Sequence, residues 1–213
     1  VYVDSGSDDG SVEYARSRGI EVVILDRDIP FTAARARNAG FECLKSQVKH
    51  LEAIQFIDGD CELREGWIRE ALAAMESKDD IAVVCGRRRE RHPEVSVFNT
   101  LCDIEWDTPI GFVKSCGGDA LFRREAFEQL EGFRAEQIAG EEPELCFRLR
   151  SRDWKVLRID REMTWHDANM TSVRQWWKRS MRAGHAFGEN FHLHGGENGE
   201  RFKGHEMRSA LLW

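Results

Sequence analysis

The residues best suited to chemistry in this sequence are acids in short, glycine-marked clusters. Asp58-Gly59-Asp60 sets two carboxylates one residue apart. Such a pair can share a divalent cation and its bound phosphates. Hard oxygen donors suit Mg2+ or Mn2+, and the glycine lets backbone approach a ligand. The same three residues also read as an Asp-Gly turn that ends a strand. In GEEPEL, the acids Glu141, Glu142 and Glu144 crowd the start of a helix. Favourable contact with the positive end of the helix dipole explains one or two of them. Repulsion among the three can raise the pKa of one and make it a base. The opening VYVDSGSDDGS is acidic at Asp4, Asp8 and Asp9, so it would repel a phosphate that arrives without a metal. Asp4 is better suited to accepting hydrogen bonds from a base or a ribose, and Asp9 or Ser11 to capping the next helix. His166, in MTWHD, reads either as a metal ligand or as a hydrogen-bonded structural residue. His192 and His194 read as structural.

These groups need a scaffold, and apolar runs supply one. Strands are predicted at 1–3, 21–26 (EVVILD), 53–60 (AIQFIDGD) and 81–86 (IAVVCG), with helices at about 11–18, 32–48 and 66–76. That alternation predicts an α/β fold with a mostly parallel sheet and helices on both faces. In open sheets of this kind ligands gather at the carboxyl ends of strands. Asp4 stands at the end of the first predicted strand, and Asp58 and Asp60 at the end of the third. The segment 87–118 reads as irregular structure with short strands. Helices at about 123–130 and 141–151, a short strand at 155–160 and an amphipathic helix at about 172–187 follow.

The bulk composition is that of a globular domain: 213 residues, 41% hydrophobic and 32% charged, with a net charge of −7. A nucleic-acid partner for the whole chain is therefore not expected. Cys43, Cys61, Cys85, Cys102, Cys116 and Cys146 show no CxxC and no paired spacing. They read as reduced thiols in a cytoplasmic protein rather than as a disulfide framework or a zinc site. The closing SALLW reads as the first turn of a further element.

Order and spacing together say more than any single motif. An acidic loop after an early strand is followed by Ala-Arg-Asn-Ala-Gly (36–40), Asp-Gly-Asp, Gly-Gly-Asp-Ala-Leu-Phe-Arg-Arg (117–124), Gly-Phe (132–133), GEEPEL with Arg-Leu-Arg (148–150), and a His after a short strand. This series resembles the family 2 glycosyltransferases, inverting enzymes of the Rossmann-like GT-A fold that use nucleotide sugars, over residues 1–170. The resemblance implies a catalytic domain at 1–170 and a helical extension at 171–213. It implies that Asp4 holds the nucleobase (usually uracil), that Arg37 and Asp58 lie at the nucleotide, and that Asp60 and His166 hold Mg2+ or Mn2+ against the diphosphate. Gly118, Asp119 and Glu141 would lie around the donor sugar and acceptor. Glu142 takes the place of the catalytic base, in a motif usually written Glu-Asp. Here Glu replaces Asp, and the extra methylene leaves the assignment among Glu141, Glu142 and Glu144 open. The family also has a first strand and a nucleotide-contacting turn ahead of the position of Val1, so the chain is expected to be N-terminally incomplete.

The expected partners are a nucleotide-sugar donor and a glycan or lipid-linked acceptor. RQWWKRSMR (174–182) resembles the Gln-x-x-Arg-Trp motif of processive synthases, but Lys178 and Arg179 occupy its Arg and Trp positions. The basic stripe of Arg174, Lys178 and Arg182 reads either as a hold on an anionic acceptor or membrane surface through 172–189, or as the solvated face of a packed helix. Two other readings remain. A sugar nucleotidyltransferase would need a Gly-rich basic phosphate loop near its start, and the Glu142 departure would suit a degenerate sugar-nucleotide-binding domain.

Overall fold

The structure is a computed structural model that describes residues 1–195; SALLW lies outside the described residues. Strand β1 (Tyr2–Asp4), helix α1 (Ser11–Ser17), strand β2 (Val22–Ile24) and helix α2 (Ala33–Gln47) come first. Then follow β3 (Ala53–Phe56), β4 (Cys61–Leu63), α3 (Trp67–Glu76) and β5 (Ile81–Glu90). The second half holds α4 (Val97–Glu105), β6 (Gly111–Val113), β7 (Ala120–Arg123), α5 (Arg124–Gln129), α6 (Glu141–Arg150), β8 (Lys155–His166) and α7 (Val173–His194). The α/β organisation and the C-terminal helix are as the sequence predicts.

Strands β1 and β2 pair in parallel as a two-stranded sheet. A six-stranded sheet runs β3-β7-β5-β8-β4, with β6 also on β8. At its centre β5 and β8 are parallel, and β3 shares their direction because β7 lies antiparallel to both β3 and β5. Strands β4 and β6 join β8 antiparallel. Apolar periodicity is the same for either direction of a strand, so the sense of each pairing is set by the path of the chain.

Two expectations need correction. The segment after Cys85 is not irregular from residue 87: β5 continues through Arg87-Arg88-Arg89 to Glu90, and α4 follows. Periodicity is blind here because the arginines lie in a ladder with β8, where Arg88 faces Thr164 and Glu90 faces His166. Likewise β8 does not stop near residue 160 but runs to His166. His166 is therefore the last residue of a paired strand rather than part of an exposed loop.

The core lies between the central strands and α2, α3, α5 and α6. Ile81, Ala82, Val83, Val84 and Cys85 are buried in succession, as a strand covered on both faces requires. Beside them Phe41, Phe56, Phe122, Phe127 and Phe133 form an aromatic cluster, mostly edge-to-face, with centroids 4.9–5.9 Å apart. Phe133 brings that rigid cluster up against Arg37, whose guanidinium lies 5.7 Å from the ring centroid.

Helix α7 docks on this body. Ser172 and Gln175 form a capping box at its start, and Trp176 stacks on Phe98 of α4 at 5.8 Å. Near its end Asn190 bonds Gly140 and Gln137, and His194 reaches Glu144. Gly140 has φ 80°, and a Cβ there would meet Ala186 and Asn190 at 2.8 Å. Only glycine lets α7 close on the first turn of α6.

Candidate active site

Four chain segments converge where β3, β5 and β8 end. Arg37, on the second turn of α2, is nearly buried and bridges two acids. Its guanidinium lies 2.5 Å from Asp58 Oδ1 and 2.5 Å from Glu141 Oε1. Burial alone would favour the neutral form of Arg37, but Asp58 and Glu141 raise its pKa and keep it charged. Burial likewise works against the Asp58 charge, and Arg37, then Arg88 and His166, still hold its carboxyl below the usual range. Arg37 and Asp58 thus stabilise each other's ionised forms.

Asp119, fully buried, is the second anchor. Its Oδ1 accepts from the Asp58 backbone N–H at 3.0 Å, and its Oδ2 accepts from the Thr164 hydroxyl at 3.0 Å. Arg88 Nη2 comes to 3.0 Å of the same Oδ2 but is not aligned to donate to it. Asp119 therefore ties the ends of β3, β5 and β8 together and is too enclosed to meet a ligand itself. Gly118 lies over this network. A Cβ there would stand 2.8 Å from Asp58 Oδ2, 3.0 Å from Arg37 Nη2 and 3.3 Å from Arg88 Nη2. The absence of a side chain leaves a cradle in which two guanidinium groups and a carboxylate face one spot.

Asp60 and His166 lie beside the cradle. Pairing of Cys61 with His166 sets the two side by side, with His166 Nε2 3.5 Å from Asp60 Oδ2. Trp106 packs its ring edge-on to the imidazole at 4.6 Å. Two ligands at right angles about 2.1 Å from an octahedral ion lie about 3 Å apart, so the pair needs only a small closure to hold one. His166 Nδ1 and Arg88 Nη2 are buried and without hydrogen-bond partners among the described residues. An anion carried by a metal would give the guanidinium a partner. Cys61 lies in the same cluster; burial and the Asp119 carboxylate push its thiol up. The Asp60 carboxylate and the His166 imidazole suit Mn2+ or Mg2+.

The three acids of α6 have separate partners. Glu141 goes to Arg37. Glu144 is fully buried against Arg134 at 2.7 Å, Arg148 at 2.7 Å and His194 at 2.8 Å, so it is structural. Glu142, 7% exposed, accepts from the Cys116 backbone N–H at 2.5 Å and from the Cys146 thiol at 3.1 Å. It alone of the three has no arginine on it among the described contacts, and it lies under the 116–119 segment that carries Gly118. Burial pushes the Cys146 thiol up to about 11 and Cys116 well above its ordinary value, so both stand protonated.

Asp4 stands in its own loop. Its Oδ2 accepts from the N–H groups of Gly6 at 2.7 Å and Ser7 at 3.0 Å, and the Ser7 side chain contributes most to holding its carboxyl below the usual range. A cavity of about 300 Å3 opens beside this loop at the carboxyl ends of β1 and β2, lined in part by Gly6, Arg27, Ile29, Phe31 and Arg35. Arg88, Thr164, Trp106, Arg27 and Phe31 were not singled out from the sequence. A signal existed for one: three consecutive arginines, Arg87 to Arg89, follow the apolar run IAVVCG.

The family model described as Glycosyl transferase family 2 matches residues 1–131. The chain belongs to that family. No curated protein sequence matches it. Among solved structures it is similar to the mannosyltransferase PcManGT from Pyrobaculum calidifontis in complex with GDP-Man and Mn2+, at 16% identity and a TM-score of 0.66, covering 99% of this chain and 59% of that one. It is also similar to S. aureus TarS 1-349, at 12% identity and a TM-score of 0.61, covering 93% and 56%. A third is glucosyl-3-phosphoglycerate synthase from Mycobacterium tuberculosis in complex with Mn2+ and UDP-glucose, at 16% identity and a TM-score of 0.58, covering 88% and 66%. These likenesses show the GT-A fold, and the chain spans between about half and two thirds of the length of those proteins.

Proposed function

We propose that this chain carries the catalytic centre of a metal-dependent, inverting glycosyltransferase that moves a sugar from a nucleotide-sugar donor to an acceptor hydroxyl in glycan or glycolipid synthesis. The observation that carries the reading is the convergence at Gly118. Asp58, Arg37 and Arg88 face one unfilled spot there, Asp60 and His166 lie next to it, and Glu142 is held under the same segment. Solved relatives of the same fold bound to nucleotide sugars and Mn2+ support it.

In this reading the nucleobase enters the cavity bounded by Arg27, Phe31 and Arg35, with Asp4 shaping the loop at its rim and Asp58 and Arg37 meeting the ribose and first phosphate. Asp60 and His166 hold Mn2+ or Mg2+. The cation, when bound, neutralises charge that develops on the departing nucleoside diphosphate. Arg88 adds a buried donor for the same anion. Glu142 removes the proton of the acceptor hydroxyl as it attacks the anomeric carbon, and a single displacement from the opposite face inverts that centre. Glu141 and Asp119 orient the cradle from behind.

The test is release of nucleoside diphosphate from UDP- and GDP-linked sugars with Mn2+ and candidate acceptors. Turnover that needs the divalent cation is expected. Tight donor binding with no turnover for any acceptor class would favour a non-catalytic sugar-nucleotide-binding domain instead. A Gly118→Ala change fills the cradle. At roughly 1–3 kcal/mol for a forced contact, it is expected to weaken binding of the nucleoside diphosphate by about tenfold or more. Unaltered affinity by calorimetry would remove Gly118 from the donor site.

The same proposal includes a cytoplasmic setting with peripheral contact of α7 with a membrane that carries the acceptor. No helix among the described residues is long and apolar enough to cross a membrane. Val173, Trp177 and Met181 are instead exposed along one line of α7, each 62–70% accessible, beside Arg174, Lys178 and Arg182. Co-sedimentation with anionic vesicles, lost in Trp177→Ala and at high salt, is the expected result; equal binding to neutral vesicles would count against it.

A further inference from the structure

Behind the 116–119 segment lies a second cluster of metal-ligating groups, chemically unlike the first. Glu142 and Cys146 are four residues apart on α6 and so share a face. The loop after β6 brings in Cys116. The Cys116 and Cys146 sulfurs are 3.8 Å apart, and Cys146 Sγ is 3.1 Å from Glu142 Oε1. Ligand atoms of all three lie within 4.8 Å of one another. Neither sulfur is in a disulfide. Two thiolates bound about 2.3 Å from a tetrahedral zinc ion stand about 3.8 Å apart, so the sulfur pair already has the separation that zinc demands.

We propose that Cys116, Cys146 and Glu142 form a binding site for a soft divalent cation, Zn2+ above all, and that filling it withdraws the carboxylate from transfer. Two sulfurs and one carboxylate leave the fourth tetrahedral position to water. Capture is balanced by loss of the two thiol protons to solvent: two S–H bonds break and two Zn–S bonds form, with no change of oxidation state. Soft sulfur donors select zinc or cadmium, whereas Asp60 and His166 offer the harder set that suits Mn2+. The two sites therefore sort cations by chemistry. Cys116 is half-buried and Glu142 keeps some exposure, which leaves a way in, while Cys146 closes the floor. No sequence spacing announces this site, because its two cysteines lie 30 positions apart and meet only in the fold.

The cation-binding part stands without the proposed activity; the inhibitory part rests on Glu142 being the base. The experiment separates them. The reduced protein is titrated with Cd2+ in excess Mn2+, and the thiolate-to-cadmium charge-transfer absorption is followed. One equivalent producing that band, lost in both Cys116→Ser and Cys146→Ser and kept in Cys43→Ser and Cys61→Ser, is expected. Absence of the band, or its survival in the Cys116→Ser and Cys146→Ser proteins, overturns the site. Should either serine variant fail to fold, Glu142→Gln serves in its place. It is expected to weaken Cd2+ by more than the roughly 10- to 100-fold typical of outer-shell changes, and unchanged affinity overturns the carboxylate ligand. In the transfer assay, Zn2+ should inhibit the parent at a low stoichiometric excess over protein with Mn2+ saturating. Inhibition undiminished in Cys116→Ser, relative to that variant's own rate, would overturn the link to catalysis.

Discussion

A Glu142→Gln protein is expected to lose transfer by roughly 10²- to 10⁴-fold, the usual worth of a positioned general base, while binding nucleoside diphosphate and Mn2+ like the parent. The amide keeps the length and shape of the side chain, and its oxygen can still accept from the Cys116 N–H. Only the capacity to take a proton is removed. Parent-like turnover would end the assignment of Glu142 as base. The related Glu142→Asp change is informative because the family motif usually carries Asp there. In this chain the carboxylate is fixed by Cys116 and Cys146 at the reach of a glutamate. Shortening it retracts the base by about an ångström, and a misplacement of that size can cost about 10²-fold. A gain in rate from Glu142→Asp would mean that the glutamate is a displaced, weaker base.

The largest stability effect is expected at Glu144→Gln. Glu144 is fully buried and joins Arg134, Arg148 and His194, and Arg148 also donates to the Leu130 and Gly132 carbonyls. One carboxylate thus holds together α6, the turn at 130–134 and the end of α7. Removing its charge leaves the half-buried Arg148 uncompensated, with the more exposed Arg134 beside it, at about 2–3 kcal/mol, which lowers the melting temperature of a chain this size by about 5–10 °C. The pH dependence follows from direction. Burial opposes the Glu144 charge, but Arg148, Arg134 and His194 outweigh it and hold its carboxyl below 4.5. A depressed folded-state pKa contributes stability that is present above the unfolded value and lost as pH falls through the folded one. The parent should therefore exceed Glu144→Gln in stability at neutral pH, and the gap should close as the pH drops below about 4.5. Thermal denaturation of both proteins across that range is the measurement; a constant gap would place the effect in packing rather than charge.

Much of this scaffold was legible in the residues. A run such as IAVVCG announces a strand buried on two faces, AIQF one that alternates, and Thr32, Ser172 and Gln175 occupy helix starts that they cap in the structure. Legibility failed where polar residues continue an element. Arg87-Arg88-Arg89 extends β5 because charge partners reach it from other segments: Asp103 on α4 for Arg87, Glu162 on β8 for Arg89, and Asp119 beside Arg88. Local sequence holds no trace of a partner 73 positions away. At the site, the acids are visible in the sequence but their partners are not.

The amino-acid sequence by itself determined most of the order of strands and helices up to β5, the family, and the acids near strand ends, because periodicity and motif spacing are properties of neighbours along the chain; β4, β7 and α4 emerged only in the fold. Only the tertiary structure decided what each acid does. It gave Glu141 to Arg37, Glu144 to Arg134 and Arg148, and Glu142 to the loop beneath Gly118, it enclosed Asp119 as an anchor, and it set Cys116 against Cys146. A carboxylate takes its role from the charges and donors around it, and those come from segments that meet only when the chain folds.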